Sequence, residues 1–159
     1  VIFNEPEEQA GKPLDPAYQQ ELNRRDLQGL ALAGKVEMEI AQLDENDRVG
    51  FLKEIGIDEP ARERFIRASY ALLNLISFFT AGEDEVRAWT ITQGTVAKKA
   101  AGKIHSDIER GFIRAEVAAY EDFIVYGSEA KCKEAGKLRL EGKEYLVKDA
   151  DIIHFRFAV

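Results

Sequence analysis

The chain has 159 residues, of which 45% are hydrophobic, and a formal net charge of −7 at pH 7. This length suits one domain, or one domain with part of a second, and the acidic total excludes a protein that coats nucleic acid over its whole surface. The single cysteine, Cys132, excludes an internal disulfide and a multi-cysteine metal site, which favours the reducing cytoplasm. No apolar run approaches the roughly 20 residues of a membrane helix, so no membrane partner is expected.

The charge is unevenly distributed along the chain. Residues 1–75 hold 9 Lys and Arg against 15 Asp and Glu, whereas residues 76–159 hold 13 against 14. The second half can therefore present a basic face despite the acidic total. The chain starts on apolar Val1-Ile2-Phe3 without an initiator Met, so we expect it to be a piece of a longer protein.

The first 43 residues alternate short apolar strands with helices. Asp15 is a helix cap followed by Pro16 in the first turn, and that helix is predicted to end near Gly29. Strand, helix, strand, helix is the order of a parallel α/β sheet, of which two strands are expected here. The predicted strands are 1–3 and 30–33, and the second helix spans 36–43.

Residues 44–75 are predicted to be linking helices. Asp44 begins one that ends at Gly56, and Asp58 with Pro60 begins another. In the second, apolar residues at helical spacing form a broad stripe that is predicted to pack. The helical period is lost at residues 75–80, and we expect a domain boundary close to residue 76.

The second half is predicted to be an α+β module, with a small sheet crossed by one helix. Alternating side chains indicate strands, and the spacing of Val96, Ala100 and Ile104 indicates the helix. Strands are predicted at 86–91, 112–117, 144–147 and 152–159, a turn at 81–84, and helical turns at 120–126 and 129–134.

Residues 29–36 match the G-x-x-x-x-G-K pattern that begins a phosphate-binding loop, but the mechanism does not fit. Val36 stands where a Ser or Thr hydroxyl should meet magnesium, and the four residues after Gly29 are strand formers where exposed backbone amides are needed. A true phosphate loop is therefore not predicted here.

His105 lies beside Asp107, Glu109 and Arg110, which suggests an acid–base cluster. No positioned nucleophile accompanies it, and a histidine that caps a turn is the commoner arrangement. A metal site is not predicted either, because the other histidine, His154, lacks ligand spacing.

Five basic residues run from the predicted helix into the next strand, and they could contact RNA phosphates. A solvated helix face explains the same pattern equally well. Phe112 is the only interleaved aromatic residue, so base stacking is not supported. The five are Lys98, Lys99, Lys103, Arg110 and Arg114.

Several segments of the chain resemble the C-terminal TGS domain of the YchF group of Obg-like P-loop NTPases. The resemblance extends from about residue 36 onward. The segments are Phe78–Ile91, Ala100–Asp107, Glu109–Val117, Glu134–Lys137, Glu141–Tyr145 and Phe155–Phe157.

The resemblance implies a role for residues near the start of the chain. These proteins end their nucleotide domain with an N-x-x-E motif after one strand and an S-A-K-like motif after the next. Asn4 and Glu7 match the first, and Ala33, Gly34 and Lys35 stand at the second. In the family the first motif replaces a guanine-reading one and accompanies a preference for ATP, so these five residues are expected to surround the base.

The resemblance further implies a ribosome-associated enzyme that hydrolyses ATP, sometimes GTP, with Mg²⁺. The phosphate loop, magnesium ligands and catalytic groups are expected before Val1, so the chain alone should hold no nucleotide or metal stably and carry no catalytic residue. The expected domains are 1–43 (end of the P-loop NTPase domain), 44–75 (linking helices) and 76–159 (β-grasp TGS domain). The alternative is a stand-alone regulatory module that binds RNA or protein.

The TGS-like part is expected to face RNA or the ribosome, without DNA specificity. The residues assigned to this face are Lys98, Lys99, Lys103, His105, Arg110 and Arg114. One departure from the family concerns Ala150, which stands where Asp-Gly-Asp is usual. Because Ala tolerates a positive φ poorly, we do not expect that conformation at the turn.

Overall fold

The computed structural model describes residues 1–82 and 85–158, which form two compact units, unit 1 (Val1–Leu72) and unit 2 (Leu73–Val159). The tip of the predicted turn, at Glu83-Asp84, and the predicted end of the last strand, at Val159, lie outside the described residues. Among the described helices, none is both long and apolar enough to cross a membrane.

Unit 1 contains a parallel pair of strands flanked by helices. The strands run in register, with Ile2 beside Leu30 and Asn4 beside Leu32, which confirms the predicted parallel pairing. The elements are β1 (Ile2–Asn4), a 3₁₀ helix (Glu7–Gln9), α1 (Pro16–Arg24), β2 (Leu30–Leu32), α2 (Gly34–Gln42), α3 (Glu45–Glu54) and α4 (Ala61–Leu72).

The first helix is shorter than predicted. The Asp15 carboxylate accepts a hydrogen bond from the Ala17 amide and caps the start of α1, as its sequence position indicates. The predicted end near Gly29 is wrong. Asp26 adopts a positive φ of 54°, and the amide of Leu27 turns back to the carbonyl of Leu22 at 2.9 Å, so the helix stops at Arg24.

The core of unit 1 joins the strand–helix pair to the predicted linking helices. The Asp44 side chain caps α3 by accepting from the amides of Asn46 and Asp47, and Leu52 of that helix is buried with α2. The apolar stripe predicted on α4 is not buried within unit 1, since Phe65 is 48% exposed and Leu72 67%. The buried cluster consists of Ala33, Val36, Ile40, Leu52 and Ile57.

Unit 2 is a five-stranded mixed sheet with helices, in the strand order β4-β3-β7-β5-β6. The central neighbours β3 and β7 are parallel, and the other pairs are antiparallel. This is the β-grasp arrangement and confirms the α+β class. The strands are β3 (Leu75–Ala81), β4 (Val86–Thr92), β5 (Phe112–Ala118), β6 (Arg139–Glu141) and β7 (Ile152–Phe157), and the helices are α5 (Ala97–Ile104), α6 (Ser106–Arg110), α7 (Tyr120–Tyr126) and α8 (Glu129–Glu134).

Helix α5 packs across one face of this sheet. Its buried side is made of three alanines, Ala97, Ala100 and Ala101, which are fully excluded from solvent. Small side chains allow the helix to approach the sheet closely, so Phe78 and Val117 of the central strands fill the remaining space. On α8, Cys132 is also fully buried, and burial raises the pKa of its thiol.

Two strand predictions in unit 2 are wrong. Residues 144–147 are not a strand, and there Leu146 makes only an isolated bridge to Val96. The strand lies earlier, at Arg139–Glu141, where it pairs with β5. The central strand β3 (Leu75–Ala81) is absent from the predicted strands, and it occupies the segment where the helical period is lost.

The turn before β7 also differs from expectation. Ala150 has a φ of 63°, so the positive φ that its side chain disfavours is present. Hydrogen bonds hold the strained residue in place, because the Ala150 amide donates to the Ser77 carbonyl at 2.8 Å and the Asp149 carboxylate accepts from the Ser77 amide at 2.8 Å.

Asp151, in the same turn, is a buried carboxylate with three hydrogen-bond donors. It is 3% exposed and accepts from the Tyr145 hydroxyl at 2.8 Å, the Lys148 amide at 2.9 Å and Nη2 of Arg139 at 3.3 Å. Burial, together with the hydrogen bond to Asp151, raises the pKa of Tyr145 to about 12. These contacts fix the segment 144–147 as a non-strand connection.

Replacing Ala150 with Gly should stabilise unit 2. Glycine adopts a positive φ without a steric cost, so we expect Ala150→Gly to raise the free energy of unfolding by about 0.5–1 kcal/mol after the entropy of the unfolded chain is counted. Urea unfolding followed by Trp89 fluorescence measures this. The same change at exposed Ala130 in α8 should destabilise by about 0.5–1 kcal/mol, and a loss of stability in Ala150→Gly would contradict the argument.

Replacing Tyr145 with Phe should lower the free energy of unfolding near neutral pH by about 1–2 kcal/mol, because the buried Asp151 carboxylate loses one of its three hydrogen-bond donors. The pKa of Tyr145 is near 10 when unfolded and about 12 when folded. The contribution of the Tyr145 hydroxyl to the free energy of unfolding is therefore fully present below about pH 10 and is lost as the pH rises toward 12. Unfolding curves at a series of pH values should show the gap between parent and variant closing over that range, and a constant gap would contradict the assignment.

Candidate functional site

The first candidate site lies at the carboxyl ends of β1 and β2. Ligands of open α/β sheets bind at this edge, because the loops that follow the strands meet there. Asn4 is the last residue of β1, and Ala33, Gly34 and Lys35 lead from β2 into α2. Parallel pairing therefore brings together two motifs that are distant in sequence.

A hydrogen bond connects the two motifs directly. The Gly34 amide donates to Oδ1 of Asn4 at 2.9 Å, and a Cβ at Gly34 would lie 3.0 Å from that oxygen. Nζ of Lys35 lies 3.0 Å from Oε2 of Glu7, and this contact raises the pKa of Lys35. Four of the five predicted base-site residues therefore make two direct contacts, Asn4 with Gly34 and Glu7 with Lys35. Both contacts lie at the surface.

The phosphate-loop pattern at residues 29–36 is divided between strand β2, at residues 30–32, and the start of helix α2 at Gly34. Leu30 donates its amide to the Val1 carbonyl at 2.9 Å, and residues 30–32 pair with β1. These residues are therefore extended in the sheet and do not form the loop that would cradle a phosphate.

The predicted basic run divides between two faces of unit 2. Lys98, Lys99 and Lys103 lie on the exposed side of α5, opposite its buried alanines. Arg114 instead lies on the other face of the sheet, because its neighbour Ala115 is buried beneath α5 and strand side chains alternate. There Arg114 stands opposite Arg156 of β7. The structure does not bring Arg114 together with the lysines.

Two cations of the run are paired with carboxylates. Nζ of Lys99 lies 2.7 Å from Glu109, and this contact raises the pKa of Lys99. Arg110 lies 2.6 Å from Asp107. Lys98 and Lys103 take part in no ion pair among residues 1–82 and 85–158.

His105 caps helix α6. Its Nδ1 accepts a hydrogen bond from the Asp107 amide at 3.2 Å and lies 3.6 Å from the Asp107 carboxylate. This contact favours the turn-capping interpretation over general-base chemistry, because the lone pair that would take a proton is already engaged.

One basic residue of this surface was missed by the sequence analysis. The Lys98 amide donates to the Lys143 carbonyl at 3.3 Å, so the two exposed lysines are neighbours. Only the fold brings them together, and no spacing in the sequence signals it. We call Lys98, Lys103 and Lys143, three exposed lysines without an ion pair among the described residues, the unpaired lysine surface.

The family model YchF-GTPase_C, described as a protein of unknown function (DUF933), matches residues 75–158. The "Ribosome-binding ATPase YchF" of Haemophilus influenzae is 60% identical over 124 residues, which cover 78% of this chain and 34% of the relative. The chain belongs to the YchF family. The protein of the same name from Bacillus subtilis is 56% identical over 130 residues, covering 82% of this chain and 36% of its own length.

Solved structures agree with this membership. The YchF GTPase of Schizosaccharomyces pombe superposes with a TM-score of 0.86 at 31% identity, covering 98% of this chain and 42% of that one. A GTP-binding protein of Pyrococcus horikoshii, at 15% identity and a TM-score of 0.59, shares the fold. The chain spans about a third of the length of the curated YchF relatives it matches.

Proposed function

We propose that the chain is the C-terminal part of a cytoplasmic, ribosome-associated ATPase. Residues 1–43 would end its nucleotide-binding domain, residues 44–75 would connect it, and residues 76–159 would form a TGS domain. The names of the YchF relatives support the enzyme class and the ribosomal partner. The observation that carries the proposal is the hydrogen bond from Gly34 to Asn4 at the strand ends.

The geometry at Asn4 suits a purine base. Because Oδ1 accepts from Gly34, the amide orientation directs the two Nδ2 donors away from that contact, toward a ligand acceptor such as purine N7. Glu7 offers a carboxylate, which only accepts hydrogen bonds. Adenine presents an exocyclic amine as a donor, whereas guanine presents a carbonyl oxygen at the same position, so Glu7 favours ATP over GTP.

The phosphates and Mg²⁺ of the nucleotide would be held by residues outside this chain. Residues 30–32 of the 29–36 pattern lie in strand β2, where a phosphate loop would need an irregular turn. Within the residues that the structure describes, no group of three or more His, Cys, Asp or Glu side chains is placed to hold a metal ion. This chain would contribute base recognition, through Asn4, Glu7 and the Ala33–Lys35 backbone, and no catalytic group.

Substitutions at Asn4 and Glu7 test this site in the full-length protein. We expect Asn4→Ala to raise the Kd for ATP by about tenfold or more, because one hydrogen bond to the base and the Gly34 contact are lost. Glu7→Gln should raise the Kd for ATP and reduce the preference over GTP. Calorimetric titration measures both, and Glu8→Gln, in the same 3₁₀ helix but without the Lys35 contact, is the matched control.

Unchanged ATP affinity in both variants would remove the proposed base site. A second titration uses the 159-residue chain alone. If it bound and hydrolysed ATP at the rate of the full-length enzyme, the division of labour proposed above would be wrong.

We propose the unpaired lysine surface as the part of unit 2 that docks on ribosomal RNA. Lys98, Lys103 and Lys143 have no carboxylate partner among the described residues, so their charge is free to neutralise phosphates. Lys99, His105 and Arg110 would border this surface. Arg114 would serve only a second contact, on the opposite sheet face.

Charge reversal tests the docking surface. The double variant Lys98→Glu, Lys143→Glu should weaken co-sedimentation with ribosomes and lower the slope of log affinity against log salt by roughly 2, since two phosphate contacts are lost. Lys131→Glu, with the equivalent change at a different exposed lysine, should leave binding near the parent value. Equal binding by the double variant and the parent would rule out this surface.

A regulatory role for unit 2 is the alternative, favoured by its separate, complete core. A module that folds around its own core can act as a lid or sensor for an ATPase. Removing residues 73–159 would then change the ATPase rate in the absence of ribosomes, whereas a docking module alone would leave that rate unchanged.

A further inference from the structure

The sheet of unit 2 parts between its two central strands. The parallel ladder of β3 and β7 holds one residue pair, Phe79 with Ile152. Beyond it, β3 stays with β4 as far as Ala81, while β7 continues to Phe157 beside β5. The distal half of β7 therefore has a strand on one side only, among the described residues.

The backbone groups on the open side of β7 can be assigned from its hydrogen bonds. The Phe79 amide donates to the Asp151 carbonyl at 2.8 Å, whereas the Ala158 amide donates to the Gly111 carbonyl, on the β5 side, at 3.0 Å. Successive strand residues turn their polar backbone groups to opposite sides. Phe155 and Phe157 therefore direct amide and carbonyl groups into the gap, as an open edge that templates another strand.

The gap is a cleft of about 420 Å³. Its apolar lining comes from Ile104 and Ile108 of the α5–α6 segment, together with Ile153 and Phe155 of β7. The size lies in the range of roughly 300–1,000 Å³ found for ligand sites. It suits a few residues in extended conformation.

Two carboxylates at this cleft form no ion pair with Lys or Arg among the described residues, although Glu129 lies within electrostatic range of Arg156. Glu85 forms no ion pair there, and Glu129 contacts Nδ1 of His154 at 3.3 Å. Two such carboxylates repel the phosphates of nucleic acid and attract a cationic side chain. None of the residues of the unpaired lysine surface lines this cleft.

We infer that this cleft binds an extended, basic peptide segment of a partner protein. The segment adds a strand to the open edge of β7, which supplies backbone hydrogen bonds. Alternate side chains then face opposite ways, so an apolar side chain packs on Ile104 and Ile108 while a Lys or Arg reaches Glu85 and Glu129. This is a protein-binding site in addition to the nucleotide and RNA sites proposed above.

Hydrogen exchange on the 159-residue chain tests the site at single amides. The probe is a blocked hexapeptide of alternating Val and Lys, and its counterpart has Glu in place of Lys. With the Val–Lys peptide, the amides of Phe155 and Phe157 should exchange at least about tenfold more slowly, and the Val–Glu peptide should leave them unchanged. In the free chain both should exchange faster than the amides of His154 and Arg156, which face β5.

Substitutions of surface residues, which leave the core unchanged, provide a second test of the peptide site. The double variant Glu85→Lys, Glu129→Lys should lose the protection by the Val–Lys peptide, and Glu121→Lys on α7, outside the cleft, should retain it. The inference is wrong if both peptides protect equally, if protection appears along β4 instead, or if the double variant behaves as the parent does. Protection that grows with chain concentration without peptide would assign the cleft to a second copy and also overturn it.

Discussion

The turn that precedes β7 determines the architecture of unit 2. Ser77 is held there through both backbone groups, by the Asp149 carboxylate and the Ala150 amide, each at 2.8 Å. The first and last strands of the unit lie at opposite ends of its sequence, and closing so long a loop costs conformational entropy. A few short hydrogen bonds, supported by the buried Asp151, offset that cost and hold β3 beside β7. The face on which α5 packs exists only once these strands are adjacent.

In unit 1 the candidate site depends on packing rather than on strand length. Strands of three residues are too short to be stable alone, yet they hold Asn4 and Gly34 at 2.9 Å. The support comes from Ala33, Val36 and Ile40, which are buried behind the site. Ala33 is part of the core, and Gly34, which contacts Asn4, is the next residue. The core therefore fixes the geometry of the site, which does not depend on an ordered loop.

The sequence predicts the local features of this chain better than its long-range ones. The caps at Asp15 and Asp44 follow from short-range hydrogen bonding and are confirmed. Strand β3 was missed because it is covered on both faces, with Phe78 in the core and Phe79 against Tyr120 of α7, so its sequence is a near-continuous apolar run without clear alternation. The 144–147 error has a tertiary cause, since Tyr145 is committed to Asp151. The residues of the candidate base site were predicted from the family resemblance. Lys143 could not be predicted from the sequence, because only the fold brings it next to Lys98.

The buried thiol of Cys132 gives the protein an internal reporter of its own opening. A thiolate is the reactive form of cysteine, and at this position the thiol is both shielded from reagent and shifted toward protonation. Modification therefore requires the structure around Cys132 to open. Because the chain has one cysteine, the rate at which a thiol reagent consumes it reads a single opening equilibrium, without an introduced label. When this rate is compared with the loss of Trp89 fluorescence, local opening around Cys132 can be distinguished from unfolding of the whole unit.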